Sequence, residues 1–313
     1  MMTTSKILFG AYASLALTAT SLFAGSDLTP VNIGYATSVH SQVAKVLAKT
    51  SIPKEHGLEV NVTFFQYGPP QIEGLVSKTL DVSFTSLVPT ATYLDKQAGA
   101  VKVIAELGHS IHGVLVQESD SAKALGGLRG KTIGVPFLSD SHIDLLLGLK
   151  AAGLDPQKDV KLVNLAPNEQ AAAFQQHLVD AVMVRPPMLE RLQQELHARE
   201  VKQWEHHLWV IARADYLEEH PGVEAKLVAV IQAGVLYVQR HPEESATWYA
   251  EDLRQKPAAV LAISQIDPIF VPGAKVDVTP SAEIRAFAQT LSQQMFELRL
   301  TKHRVDFFPT ATH

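Results

Sequence analysis

The feature that most constrains this chain is a set of three strand–helix units that occurs twice in the same order. Val31–Tyr35 (VNIGY) opens the first set and is echoed about a hundred residues later by Lys131–Val135 (KTIGV). Leu58–Phe64 (LEVNVTF) runs into Gly68, Pro69 and Pro70, and Val160–Leu165 runs likewise into Pro167. Leu80–Ser86 (LDVSFTS) is matched by Val179–Arg185 (VDAVMVR), each followed by proline and an amphipathic run. Self-similarity of this kind marks repeated structural units. Strands that alternate with helices build parallel sheets with right-handed crossovers, so two such sets predict two α/β lobes.

The connections between the sets are also readable. Ile111–Gln117 is an apolar strand entering the polar Glu118–Ser121. Leu208–Arg213 is a second apolar strand leading back. From Asp215 onward the pattern is helical, with Pro221 and Pro242 at helix starts and Pro268 and Pro272 in a loop. The expected division is a signal segment at 1–24, the first part of lobe one at 28–117, lobe two at 118–211, and C-terminal helices at 212–313 returning to lobe one. Two segments crossing together form a hinge, and lobes paired about a hinge close on a ligand.

Composition narrows the function. At 46% hydrophobic and 19% charged, the 313 residues describe a globular chain. Its net charge of −5 comes with scattered basic residues, which excludes the basic stripe that nucleic acid requires. There is no cysteine, hence no disulfide, no thiol nucleophile, no thiolate-held metal and no lipid-modified cysteine. Lys6 followed by the uncharged run Ile7–Ala24 is the pattern of a secretory signal, with cleavage expected between Ser21 and Ser26. A soluble periplasmic destination without a lipid anchor follows. No nucleophile elbow, phosphate loop or metal-binding helix motif is present, so no catalytic residue, metal ligand or cofactor is assigned.

The order of these elements, with Ile33-Gly34-Tyr35, Gly68-Pro69, Leu80–Thr85 and Leu128–Gly134, resembles the binding-protein components of taurine, sulfonate and nitrate importers. The thiamine-pyrimidine-precursor binding proteins share that plan. The resemblance spans about residues 28–300. It implies a type II periplasmic-binding-protein fold, a monomer, and partnership with an ABC permease and its ATPase. A fungal relative that makes a thiamine pyrimidine from its own histidine depends on a cysteine-rich stretch that this chain lacks. A periplasmic sensing subunit docking on a receptor is the alternative role, and a heteroaromatic precursor the alternative ligand to a small organic or nitrate-like anion.

In open parallel sheets ligands sit beyond the carboxyl ends of the strands, where helix N-termini present free N–H groups. The candidate ligand-binding residues are therefore Tyr35, Thr37, Ser38 and His40; Gly68 and Pro69, beside Tyr67; Thr85 and Ser86; and His109 and Ser110, after Gly108. From lobe two they are Phe137, Ser139, Ser141 and His142, then Pro167 and Asn168, then Arg185 and Pro186. Ser38, Ser139 and Ser141 also read as helix caps. Arg185 ends the strand equivalent to the one that ends in Ser86. Its planar fork of donors suits carboxylate, sulfonate or phosphonate oxygens. Its competing partner is Glu190, one turn on, and the resembled family more often carries an aromatic or acidic residue there. The 13 histidines are too dispersed for a metal centre, but His109 or His142 could donate to an anion. Trp204, Trp209 and Trp248 are read as core or lobe-interface residues.

Overall fold

A computed structural model describes residues 28–309, so the expected signal segment and residues 310–313 lie outside the described part. The strands are β1 (Thr29–Tyr35), β2 (Leu58–Phe64), β3 (Val82–Thr85), β4 (Val101–Val116), β5 (Thr132–Val135), β6 (Lys161–Asn164), β7 (Ala181–Val184) and β8 (Arg199–Arg213). The helices are α1 (Gln42–Lys49), α2 (Ile52–Glu55), α3 (Gly68–Val76), α4 (Leu87–Lys96), α5 (Asp140–Ala151) and α6 (Pro167–Gln175). They continue with α7 (Met188–Leu196), α8 (Ala214–Glu219), α9 (Val223–Arg240), α10 (Pro242–Leu253), α11 (Pro257–Ile266) and α12 (Ala282–Glu297). Among the described residues no helix is long and apolar enough to cross a membrane.

The strands form one sheet in the order β2-β1-β3-β8-β4-β7-β5-β6. β1 is parallel to β2 and β3, and β5 is parallel to β6 and β7, as the repeated units require. β4 and β8 run antiparallel between the two parallel groups. β8 pairs with β3 at Trp209–Ala212, and β4 pairs with β7 at Gly113–Val116. Between those contacts, from His109 to His112 and Trp204 to His207, the sheet is only two strands wide.

Both faces of each parallel group are covered. Along β8, Leu208, Val210 and Ala212 point to a core built with α1, α9 and α10, while Trp209 and Ile211 point to one built with α4 and α12. Along β7, Ala181 and Met183 join α5 in one core, and Val182 and Val184 join α6 and α7 in another. This alternation is the period of two in a strand buried on both faces. Trp209 is wholly buried, and Trp204 and Trp248 pack at core edges.

Two expectations need correcting. The strand read as beginning at Ile111 begins at Val101, so Gly108, His109 and Ser110 are not a strand-end loop. The interruption is a bulge between Glu106 and His109, with Gly108 at a φ of 92° that a side chain would strain. The strand read as Leu208–Arg213 begins at Arg199, because its first half alternates exposed Glu200 and Lys202 with inward Val201 and Trp204.

Candidate functional site

A cavity of about 300 Å³ opens where the loops after β1, β2 and β3 face those after β5, β6 and β7. This is the position expected beyond the carboxyl ends of parallel strands. Thr37, Gly68, Ser86, Ser139, Ser141 and Arg185 line it, with Tyr67, Pro167, Asn168 and Pro186.

The other candidates are displaced from the cavity. Tyr35 lies beneath it, donating from its hydroxyl to Asp252 Oδ2 at 2.7 Å. Asp252 itself lines the cavity and is ion-paired to Lys45 at 2.7 Å. Ser38 is buried under α10, its N–H donating to the Tyr249 hydroxyl at 2.9 Å. His40 is buried with Nδ1 3.2 Å from Ser38 Oγ. Its Nε2 lies 2.8 Å from Asp267 Oδ2, outside hydrogen-bonding angles. Pro69 is inside the first turn of α3, where its missing N–H costs nothing. Thr85 is buried with an unpartnered Oγ1. A Cβ on Gly68 would come within 2.5 Å of Pro89 and 3.0 Å of Thr85 Oγ1, so chain packing requires this glycine. His109 and Ser110 sit opposite His207 and His206 on the two-strand waist. Phe137 stacks on His142 with centroids 4.6 Å apart, and burial lowers the His142 pKa to about 4.

Sequence reasoning missed part of the lining. Met183 and Val184 precede Arg185 on β7 and could have been inferred from it. Asp252, Leu253, Arg254 and Gln255 come from the end of α10, far along the chain, and carried no local signal.

Two guanidiniums line the cavity, Arg254 on the exposed end of α10 and Arg185 at the half-buried end of β7. Arg185 Nη2 donates to Ser141 Oγ at 3.3 Å. Among the described residues no carboxylate lies within ion-pair distance of it, and Glu190, the competing partner, is not paired to it. Glu190 Oε2 is instead buried without a partner, and burial pushes its pKa up. The equivalent position on β3 is closed differently. Ser86 Oγ donates to Asp140, whose other oxygen accepts from the Val88 N–H at 3.4 Å. Asp140, the first residue of α5, thus sits on the N-terminus of α4, where the helix dipole favours a negative charge.

Behind Arg185 lies a polar chain that the sequence did not suggest. Ser141 Oγ is 3.2 Å from His112 Nδ1, and His112 Nε2 is 2.8 Å from Asp144 Oδ2. Burial lowers the His112 pKa to about 3 and pushes Asp144 up to about 7 against the opposing charge of Arg185. His206 packs on His112 at 5.6 Å between centroids, with both ring nitrogens unpartnered.

Comparison with known proteins agrees with the fold. An alkanesulfonate-binding protein from Xanthomonas axonopodis pv. citri, solved with MOPS bound, superposes with a TM-score of 0.73 at 20% identity, covering 90% of this chain and 97% of that one. At that identity the likeness establishes the periplasmic-binding-protein fold. A protein of Brucella abortus named only as a binding protein is 26% identical over 252 residues, 77% of each chain. The taurine-binding periplasmic protein of Escherichia coli is 30% identical over 203 residues, 62% of each chain. The sequence profile of one family matches residues 54–245, more than half the chain, and the protein belongs to that family, described as NMT1/THI5 like.

Proposed function

We propose that this chain is the solute-binding component of an ABC importer, capturing a small organic anion of the sulfonate or taurine type in the cavity and doing no chemistry on it. The observation that carries the reading is Arg185, a guanidinium without a carboxylate partner among the described residues, facing a cavity bounded by both sheet halves. A fork of free donors in a partly dry site is matched by a sulfonate or carboxylate. Thr37, the Ser139 end of α5 and the Pro167 end of α6 supply further polar edges, while Phe64, Tyr67, Met183 and Met188 would hold a short apolar body. In the resembled family such proteins deliver ligand to a permease and ATPase in the periplasm, and those partners and that location belong to the same proposal.

The division into lobes is part of it too, with the limits expected near 118 and 211 moved to about 112 and 207, since 113–116 pair with β7 and 209–212 with β3. The two-strand stretch of β4 and β8 is the narrowest part of the sheet and supports bending there. Native mass spectrometry of freshly purified protein is the direct test. A co-purified anion lost from Arg185→Ala supports the reading. A ligand retained in that variant, or one without any anionic group, would refute it.

A further inference from the structure

Three cavity serines differ in where their single hydroxyl proton goes. Ser86 Oγ donates to Asp140, and Ser139 Oγ donates to the Pro136 carbonyl at 2.6 Å. A hydroxyl carries one proton and two lone pairs, so these two present acceptors to the cavity. Ser141 is not committed in this way. It accepts from Arg185, and the partner for its own proton is His112 Nδ1, 3.2 Å away. His112 is buried and neutral, with one proton to place on two nitrogens, and the other nitrogen faces Asp144 at 2.8 Å.

We propose that His112 and Asp144 are positioning residues that set the direction of the Ser141 hydroxyl through a proton relay, and so decide whether the cavity meets a ligand there as acceptor or donor. The proposal rests on the reading of this cavity as the ligand site. With Asp144 ionised, His112 donates from Nε2, Nδ1 accepts the Ser141 proton, and all three serines present lone pairs. Uptake of one proton from the cavity side inverts the chain. The proton joins Ser141 Oγ, the former Ser141 proton moves to His112 Nδ1, and the Nε2 proton moves to Asp144. No proton is gained or lost beyond the one taken up. Ser141 now accepts from Nδ1–H and directs its own proton into the cavity beside Arg185.

The charged and titratable groups around Asp144 allow this. Asp140 lies on its own helix, His112 on β4, Arg185 beyond β7, and Glu205, His206 and His207 on β8, with Glu106 behind His207. The faces of α4 and α12 contribute apolar side chains such as Leu87 and Phe287. Burial outweighs Arg185 and His207, so Asp144 titrates in the neutral range. An anion on Arg185 favours the inverted, donating state, so the bound protein holds more protons than the free one. Affinity for an anion is then level below the titration of free Asp144 and falls above it, by up to about tenfold per pH unit. A ligand presenting an N–H donor to Ser141 shows a weaker or opposite dependence.

The relay is tested without ligand by ¹⁵N nuclear magnetic resonance of the histidine rings. The expected result is a His112 tautomer that changes from Nδ1–H at low pH to Nε2–H at high pH, with the midpoint near neutrality. A single tautomer from about pH 5.5 to 8.5 overturns the relay. Calorimetric titration with ethanesulfonate at the same pH values gives the second readout. The wild type should take up protons on binding and lose affinity as pH rises, and Asp144→Asn should lose that dependence. If Arg185→Ala binds ethanesulfonate as the wild type does, the cavity reading fails. If binding needs Arg185 but Asp144→Asn keeps the wild-type pH slope, the relay fails alone.

Discussion

The loops after β1 and β5 occupy equivalent places in the two repeated units, yet one is turned into scaffold and the other stays at the cavity. After β1, Ser38 and His40 are sealed by the C-terminal helices, through Tyr249 and Asp267, leaving Thr37 at the surface of the cavity. After β5 the loop is held by later residues, Asn164 on the Phe137 N–H and Arg185 on Ser141, that leave it at the cavity wall. Ser139 caps α5, accepting from the His142 N–H at 3.4 Å, and both Ser139 and Ser141 reach the cavity. The strand ends β3 and β7 differ in the same sense. Ser86 is answered by a carboxylate of the protein, Asp140, while Arg185 has none. Equivalent topology therefore fixes where a residue can be, and whatever packs over it decides whether it is available.

That contrast can be broken most forcefully at Arg185. Arg185→Ala should cost about 2–4 kcal/mol of anion affinity by calorimetry, and Arg185→Lys should recover only part, since a point charge cannot replace a fork. Thermal stability of the alanine variant should change little, because relief of a buried guanidinium offsets the loss of its charge near Asp140 and Asp144. The sealed loop should respond in the reverse way. Asp267→Ala removes the buried neighbour of His40 and the acceptor for the Ile269 N–H at 3.1 Å. It should lower unfolding free energy by about 1–3 kcal/mol while changing anion affinity less than about tenfold.

An effect of similar size distinguishes the polar chain under the cavity. The folded pKa of Asp144 stands above its unfolded value, so the folded state holds the extra proton between the ordinary carboxylate range and about 7. Ligand-free stability should therefore fall as pH rises through that window, by roughly 1–3 kcal/mol, and Asp144→Asn should flatten the fall in denaturant titrations. Smallest of all, Ser139→Ala removes a cap and should cost about 1 kcal/mol of stability.

Much of the fold was legible because it rests on local pattern. The strand Leu58–Phe64 has the bounds that its alternation predicted, and the starts of α3 and α6 fall at Gly68 and Pro167 as their turn residues required. The polar first half of β8 was not legible, since its exposed edge imitates a surface loop. The site divides similarly. Arg185, Ser86 and Ser141 were recoverable from strand-end logic. Asp140 and Asp144 were not, because an acidic residue in the first turns of a helix is ordinary, and only the approach of α4 to α5 gives Asp140 a partner.

The sequence by itself determined two sets of strand–helix units, the places where their strands end, and the residue types available there. Hydrophobic period and turn chemistry act over a few residues, and a repeat carries them along the chain. The tertiary structure alone decided which of those ends face the cavity, that Asp252 to Gln255 join its wall, and that His112, Asp144, Ser141 and Arg185 stand in line. Those pairings depend on segments tens to hundreds of residues apart meeting in a dry interior. There burial and partnership, rather than residue type, set the protonation of a carboxylate and the direction of a hydroxyl.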